Sequence, residues 1–314
     1  MEPGGIQSLR VGREMTALYL APMEGITGYV FRRAVHEQFG ACADKYFTPF
    51  FSPHTKRTMT SREIKDILPE NNEGMNLIPQ ILTISAADFL RFEKDVRSFG
   101  YQEVNINFGC PSGTVVGKMR GAGFLTHKEA MREFLDEVFL HTGCRVSIKT
   151  RLGMHEPEEF RELLELYNRY PIHELIVHLR VRDELYQGHA HEELWNDIRR
   201  NSKNPVCYNG DVTDVLPDAD TVMIGRGMLM DPSLIRYHKG GSRAGAQELY
   251  EFMRRLERDY SGTFSGDVPV LHKLKEIWSY MGKMFPEKEK ELKALMKSDS
   301  LSEYGFSLRR IISS

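Results

Sequence analysis

The sequence predicts an α/β protein: a (β/α)₈ barrel (TIM barrel) followed by a small all-helical C-terminal domain. Between residue 18 and about residue 238, short apolar and β-branched runs alternate with amphipathic helical segments, which indicates βα units and a parallel sheet. There are eight such runs, the number that closes the barrel. After Gly240 the strand-like runs stop and only helical patterns follow.

The eight predicted strands are short, and amphipathic helices lie between them. They span residues 18–23, 45–49, 77–83, 103–109, 145–153, 174–180, 205–211 and 221–227. One of these helices begins after Ser85, and its Phe89, Phe92 and Val96 share one face. Residues 50–75 form the least regular unit, a charged stretch in which we expect a helix flanked by long loops.

Helical patterns continue to the C-terminus. They cover residues 244–260, 270–284, 287–296 and 301–312. We therefore predict a barrel domain over residues 1–239 and a helical domain over residues 240–314. With 314 residues, 41% of them apolar, the chain is long enough to bury a large core.

The composition excludes several classes of protein. There are 42 basic and 44 acidic side chains, so the net charge is −2, and any nucleic-acid partner must be bound by local patches. No run approaches the roughly 18–20 apolar residues of a membrane span, and residues 1–15 lack the apolar core of a signal peptide. We expect a cytoplasmic monomer with no membrane partner. The four cysteines form no CxxC pair, which fits a reducing compartment.

Polar residues occupy inward-facing positions near the ends of the predicted strands. In the fourth strand the apolar residues can face the helices, which turns Asn105 and Asn107 into the barrel. The same alternation in four other strands turns inward Gln80, Lys149, His178 and Asn209. A single buried amide or histidine is more often a core residue than a ligand, but a buried lysine is costly unless an anion meets it. This accumulation predicts a site for a polar cofactor or substrate.

Two glycine-containing turns predict a phosphate site. Residues 209–211 form the end of the seventh predicted strand, and residues 225–227 form the end of the eighth. Barrels often bind phosphate at this place, because glycines let backbone N–H groups approach the phosphate oxygens. We expect Asp231 to cap the next helix, with Pro232 at its first position.

Cys110 is the cysteine best placed for chemistry, in a loop directly after the inward asparagines of the fourth strand. Its thiol could be a nucleophile, a metal ligand or a proton donor. No set of His, Cys and Glu at metal-ligand spacing accompanies it, so no metal site is predicted. Cys42 and Cys144 precede strands at the opposite end of the barrel, and Cys207 fits a small buried apolar residue.

Together these residues resemble the tRNA-dihydrouridine synthase family over about residues 17–238. The most specific part runs from Asn105 through Cys110 and Pro111 to the stretch 116–123. The other matching motifs follow in the family order: Ala21-Pro22-Met23, Lys149-Thr150-Arg151, His178-Leu179-Arg180, Asn209-Gly210-Asp211 and Gly225-Arg226. Three positions depart from the common pattern: Gly28, where many relatives carry an acidic residue, Phe108 and Leu179.

The resemblance implies an FMN-dependent enzyme that reduces a uridine of tRNA to 5,6-dihydrouridine with NADPH as reductant. Reduced flavin would give a hydride to C6 of the uracil, and Cys110 would deliver a proton to C5 as general acid. Lys149 would meet the N1/O2 edge of the flavin, where negative charge develops. The residues implied to bind the cofactor are Ala21, Pro22, Met23, Gln80, Lys149, His178, Asn209, Gly210, Asp211, Gly225 and Arg226. Those implied to bind the substrate are Asn105, Asn107, Lys118, Arg120 and Arg180.

Two other functions stay open at this point. One is a flavin-dependent barrel dehydrogenase that acts on a small unsaturated ring, as dihydroorotate dehydrogenases do. The other is an RNA-binding protein without chemistry, against which Cys110 and Lys149 argue. The helical domain favours a macromolecular substrate, for which Arg309 and Arg310 are further candidate contacts, although such pairs are more often solvated charges.

Overall fold

The computed structural model describes residues 15–40, 43–53 and 57–312, so Cys42 lies outside the described residues. Eight parallel strands pair in chain order, and β8 pairs with β1 to close a barrel. The predicted TIM barrel is therefore confirmed. The strands are β1 (Ala17–Leu20), β2 (Lys45–Phe51), β3 (Leu77–Ile81), β4 (Glu103–Phe108), β5 (Arg145–Gly153), β6 (Glu174–Val181), β7 (Val206–Asn209) and β8 (Thr221–Ile224).

Helices surround the barrel and continue past it to the C-terminus. They are α1 (Tyr29–Gln38), α2 (Ser61–Ile67), α3 (Ala86–Ser98), α4 (Gly113–Val116), α5 (Lys128–His141), α6 (Phe160–Tyr167), α7 (Trp195–Asn201), α8 (Arg226–Met230), α9 (Leu234–His238), α10 (Ala246–Ser261), α11 (Asp267–Met281), α12 (Glu289–Lys297) and α13 (Leu301–Ile312). The four predicted C-terminal helices correspond to α10 to α13. Among the described residues, none of the helices has the length and apolar character needed to cross a membrane.

Several strands end earlier than the sequence predicts. β1, β7 and β8 end at Leu20, Asn209 and Ile224. The residues that follow each of these strands leave the sheet and form turns at the end of the barrel where the strands finish. β2 instead continues two residues beyond its predicted end, to Phe51. Pro49 cannot donate to the ladder, and the register with β3 shifts between Phe47 and Phe50. Residues 210–220 connect β7 to β8 without a helix.

Of the two helix starts for which the sequence predicts a capping residue, one is correct. Ser85 caps α3 by accepting a hydrogen bond from the N–H of Asp88 at 3.2 Å, and the predicted apolar face of α3 is buried. The expected cap at Asp231 is wrong, because Ser233 is the residue that precedes α9. Asp231 instead accepts hydrogen bonds from Ser233 and forms an ion pair with Arg243 at 2.7 Å.

The helical region packs on the side of the barrel. Phe252 of α10 contacts Phe31 and Phe39 of the first βα unit, with ring centroids 6.0 and 5.2 Å apart. α11 packs against α8, the short helix that directly follows β8. The helical region is therefore fixed beside the end of the barrel where the strands finish.

A buried group of charges closes the opposite end of the barrel. The Lys45 ammonium lies 3.0 Å from a carboxylate oxygen of Glu103 and 3.2 Å from one of Glu174, and the Tyr19 hydroxyl donates to Glu174 at 3.0 Å. Burial raises the pKa of Glu174, and the charge of Lys45 opposes this rise. One ammonium on β2 therefore compensates two buried carboxylates, one on β4 and one on β6.

Replacement of this ammonium tests the arrangement. We expect Lys45→Met to lower the free energy of unfolding by about 3–5 kcal/mol, because it removes the ammonium that two buried carboxylates share. With Lys45 absent, the pKa of Glu174 in the folded state rises further above its unfolded value, so protonation favours the fold. The loss of stability should therefore be larger at pH 8 than at pH 5, measured by urea denaturation.

The matched control is Lys293→Met, which removes an ammonium from an exposed i,i+4 pair with Glu289. Such pairs contribute about 0.3–0.5 kcal/mol. Equal effects of the two substitutions would contradict a stabilising role for the buried group.

Candidate active site

A cavity of about 920 Å³ opens at the end of the barrel where the strands finish. The structure places there every predicted site residue except Asn105, Lys118 and Arg120. The predicted residues that line it are Ala21, Pro22, Met23, Gln80, Asn107, Cys110, Lys149, His178, Arg180, Asn209, Gly210, Asp211, Gly225 and Arg226. The inward alternation of the strands therefore brings these side chains together as expected.

The floor of the cavity is a chain of hydrogen-bonded amides. Asn107 donates to the Gln80 oxygen at 2.7 Å, and Gln80 donates to the Asn105 oxygen at 2.7 Å. Asn105 in turn donates to Ser147 at 2.9 Å. Asn105 is fully buried beneath the cavity and does not line it. Its side chain is therefore placed to orient Gln80 rather than to contact a substrate.

The same chain positions Cys110. The side-chain oxygen of Asn107 accepts the backbone N–H groups of Gly109 and Cys110 at 3.0 and 2.9 Å. On the other side, Gly121 has a φ of +56°, and an added Cβ would lie 2.8 Å from the Cys110 carbonyl oxygen. Glycine at this position lets the loop after α4 pack directly onto the cysteine turn.

The Cys110 thiol is partly buried in the cavity wall. Burial raises the pKa of Cys110, and a backbone N–H at Ser112 and the charges of Arg151 and Lys149 oppose the rise without cancelling it. The thiol is therefore protonated near neutral pH. A protonated thiol suits a proton donor better than a nucleophile, which must be a thiolate.

Lys149 points from β5 into the cavity. Burial, followed by the charge of Arg151, lowers the pKa of Lys149 to about 8. In the described part of the chain, no carboxylate pairs with its ammonium and no hydrogen bond holds it. An unpaired ammonium inside a barrel is costly, so this position suits an anionic ligand group.

His178 lies beside these cations and is neutral. Burial, together with the charges of Arg151 and Lys149, holds the pKa of His178 well below its usual range. Arg180 donates to its Nε2 atom at 3.4 Å, which puts the imidazole proton on Nδ1. His178 can therefore offer one N–H donor to a ligand in the cavity.

The two predicted phosphate turns meet at one side of the cavity. An added Cβ on Gly227 would lie 2.3 Å from the Val212 carbonyl oxygen, and one on Gly210 would lie 2.9 Å from the Ala190 side chain. Glycines are thus required for the close approach of these loops. The Asp211 carboxylate accepts hydrogen bonds from Arg180 and, at 2.7 Å, from Arg226.

This double pairing fixes the role of the Asp211 carboxylate. Burial alone would raise the pKa of Asp211, but the hydrogen bond and charge of Arg180 lower it overall. The side chain is an anion that orients two arginines. Any contact of Asp211 with a phosphate must therefore come from its backbone.

Three arginines hold the loop between β6 and α7 over the cavity through its carbonyl oxygens. Arg151 donates to residue 185 at 2.8 Å, Arg226 to residue 186 at 3.2 Å, and Arg180 to residues 187 and 188 at 3.1 and 2.8 Å. Arg180 was predicted to bind substrate, and it does line the cavity. Its guanidinium, however, is largely occupied by these protein acceptors.

The remaining predicted RNA contacts lie away from the cavity. Lys118 is exposed in the loop after α4, and Arg120 donates to Ser52 at 3.0 Å. Arg310 on α13 pairs with Glu291 at 3.4 Å, and neither it nor Arg309 lines the cavity.

The sequence did not single out several residues that do line the cavity. They are Glu24, Arg182, Tyr186, Glu276, Tyr280 and Lys283. Six basic and three acidic side chains line it in total, so the cavity favours anions although the whole chain is slightly acidic. Among the described residues, no cluster of His, Cys, Asp and Glu could hold a metal ion.

Solved structures of similar fold share the barrel. Histamine dehydrogenase from Rhizobium sp. 4-9 superposes with a TM-score of 0.56 at 13% identity, over 71% of this chain and 45% of that chain. The old yellow enzyme homologue from Zymomonas mobilis gives a TM-score of 0.55 at 12% identity, over 72% and 89% of the two chains. At these identities the likeness shows the fold alone.

Sequence comparison gives the family. A probable tRNA-dihydrouridine synthase 2 of Bacillus subtilis is 28% identical over 249 residues, which is 75% of each chain. A probable tRNA-dihydrouridine synthase of Staphylococcus epidermidis has the same identity and coverage. The family model described as dihydrouridine synthase matches residues 19–305. Because this match spans nearly the whole chain, the protein belongs to the dihydrouridine synthase family and is an oxidoreductase.

Proposed function

We propose that the protein is an FMN-dependent tRNA-dihydrouridine synthase, which reduces a uridine of tRNA to 5,6-dihydrouridine with NADPH as the electron source. The observation that carries this proposal is that the Cys110 thiol and the unpaired Lys149 ammonium line one cavity of a dihydrouridine synthase barrel. The names of the bacterial relatives support tRNA as the substrate.

The residues of the cavity fit FMN. The turns that contain Gly210, Gly225 and Gly227 border the cavity, and the two guanidiniums of Arg180 and Arg226 outnumber the single Asp211 carboxylate that pairs with both. Lys149 offers the positive charge that the reduced ring requires. The cavity volume is at the upper end of the roughly 300–1,000 Å³ typical of ligand sites, which leaves room for a second ring beside the cofactor.

Each side chain then has a distinct task. Bound FMN would supply the reducing equivalents for the C5=C6 bond of uridine. Gln80 would hydrogen-bond the cofactor ring, residues 21–23 would pack around it, and His178 would donate to its ribityl or phosphate side. The backbone of residues 209–211 and 225–226 would surround the phosphate.

Cys110 would complete the reaction as a general acid. The Asn107 oxygen fixes the backbone of its turn, so the thiol is held at the cavity wall. Because the thiol is protonated at neutral pH, it can transfer its proton to C5 of the uracil while the new C–H bond forms at C6. The thiolate that remains would regain a proton from solvent before the next turnover.

Flavin binding provides the first test. We expect the purified protein to be yellow, with one FMN bound non-covalently. The affinity of the apoprotein for FMN should fall as the pH rises through about 8, because the Lys149 ammonium loses its proton in this range. Titrations that follow flavin fluorescence at several pH values measure this, and Lys149→Met should bind FMN more weakly and without this pH dependence.

A folded protein that takes up no flavin after reconstitution would contradict the proposed cofactor. An unchanged pH profile in Lys149→Met would contradict only the role of that lysine. A yellow protein that NADPH reduces but that tRNA does not reoxidise would instead favour a dehydrogenase for a small unsaturated ring.

The role of Cys110 is tested by single-turnover reoxidation of pre-reduced enzyme by tRNA. We expect Cys110→Ala to fold, bind FMN and accept electrons from NADPH, but to reduce uridine about 10²–10⁴-fold more slowly, as loss of a general acid predicts. Cys110→Ser should be similarly slow, because a hydroxyl is a much weaker acid than a thiol.

The matched control is Cys144→Ala, which alters a partly buried thiol at the opposite end of the barrel. It should reoxidise at the wild-type rate. If Cys110→Ala also did so, the general-acid role would be wrong, and Cys110 would be a structural residue of the cavity wall.

A further inference from the structure

The helical region completes the cavity of the barrel. Glu276, Tyr280 and Lys283, from α11 and the turn after it, line the same cavity as Cys110. α11 packs against α8 at the phosphate side. The Lys273 ammonium also donates to the carbonyl oxygen of Gly25, in the loop after β1, which holds α11 against the cavity wall.

Two polar groups on this wall have no protein partner. The hydroxyl of Tyr280 is partly buried, and no residue in the described ranges forms a hydrogen bond with it. The Lys283 ammonium is exposed one turn further on and likewise has no ion pair within the described chain. Two neighbouring cations, in contrast, have ion-pair partners: Lys273 is paired with Glu276, and Arg226 is paired with Asp211.

Tyr280 and Lys283 lie near the opening of the cavity, on the side of the two predicted phosphate turns. Burial, followed by the nearby Tyr186 and Glu276, raises the pKa of Tyr280, and the charge of Arg226 opposes this rise. Tyr280 is therefore a neutral hydroxyl that can donate or accept a hydrogen bond. Tyr186, 44% exposed, lies close by, and its ring centroid is 4.9 Å from the Arg226 guanidinium.

We propose that Tyr280 and Lys283 form a subsite that holds the ribose and phosphate of the target nucleotide while its base enters the cavity. The inference rests on the proposed function and assigns part of substrate recognition to α11. A base that must reach the cavity floor has to leave its stack, so its sugar and phosphate remain at the mouth. A phenol hydroxyl and an unpaired ammonium are suitable donors for a ribose hydroxyl and a phosphate oxygen.

This subsite would bind a nucleotide of the tRNA and not the phosphates of NADPH. Both ligands carry phosphate and must reach the same cavity, so the two half-reactions have to be measured separately. Tyr280→Phe removes only a hydroxyl, and Lys283→Met removes an exposed charge, so both variants should fold and bind FMN as the wild type does.

The first measurement is direct binding of fluorescently labelled tRNA at several salt concentrations. Each variant should bind tRNA about three- to tenfold more weakly at low salt, as expected for one lost hydrogen bond or phosphate contact. Lys283→Met should also reduce the slope of log affinity against log salt by about 0.9 or less, whereas Tyr280→Phe should leave the slope unchanged. The matched control, Lys203→Met, removes an exposed ammonium before β7, at the opposite end of the barrel, and should bind as the wild type.

The second measurement separates reduction by NADPH from reoxidation by tRNA. We expect the variants to be reduced at the wild-type rate and reoxidised more slowly at low tRNA concentration. Wild-type tRNA binding and salt slopes in both variants would overturn the subsite while leaving the proposed function intact. Slower reduction by NADPH with unchanged tRNA binding would overturn it too, and would assign the subsite to the dinucleotide. A wild-type enzyme that tRNA cannot reoxidise would overturn both proposals.

Discussion

The geometry of the active site depends on a chain of hydrogen bonds inside the barrel, from Ser147 through Asn105 and Gln80 to Asn107. Each link joins side chains of neighbouring strands, so the closed sheet fixes the spacing of the amides. Each amide is both a donor and an acceptor, and the loss of one leaves buried polar groups unsatisfied on either side. The chain ends on the backbone N–H of Cys110, so the position of the Cys110 thiol follows from the register of the strands beneath it.

Four of the six Lys and Arg side chains that line the cavity divide into two groups with different tasks. The guanidiniums of Arg151, Arg180 and Arg226 are used by the protein itself, because a planar fork of donors can join several carbonyl oxygens at once. They fix the loop after β6 and, through Asp211, the turn after β7. Lys149 is a point charge on a flexible stem and has no protein partner in the described structure. The arginines therefore shape the cavity, whereas the unpaired Lys149 ammonium suits an anionic ligand group.

The barrel could be predicted from the sequence because the alternation of apolar and polar residues reports directly which side chains face inward. Alternation does not report depth, however. It placed Asn105 and Asn107 together, but only Asn107 reaches the cavity. The sequence predicts a helix cap at Asp231, but this side chain forms an ion pair with Arg243. Arg243 lies beyond the next helix in the sequence, so local sequence signals do not reveal this contact. The monomeric state, the cytoplasmic location and the domain boundary after residue 239 stay predictions.

The contribution of α11 could not be predicted, since nothing in its local sequence shows that Tyr280 faces a barrel made by other residues.

The presence of Gly28, one of the departures from the family pattern, also depends on a residue that is distant in the sequence. An added Cβ at Gly28 would lie 3.2 Å from a carboxylate oxygen of Asp66, which accepts the N–H of Tyr29 at 2.6 Å and pairs with buried Arg32 at 3.1 Å. A carboxylate near the start of α1 is therefore present, but α2 supplies it, and a second acidic side chain at position 28 would place two like charges together. Because α1 follows the loop that lines the cavity, this long-range cap helps to hold that loop in place. The sequence marks the departure, and only the fold shows its compensation.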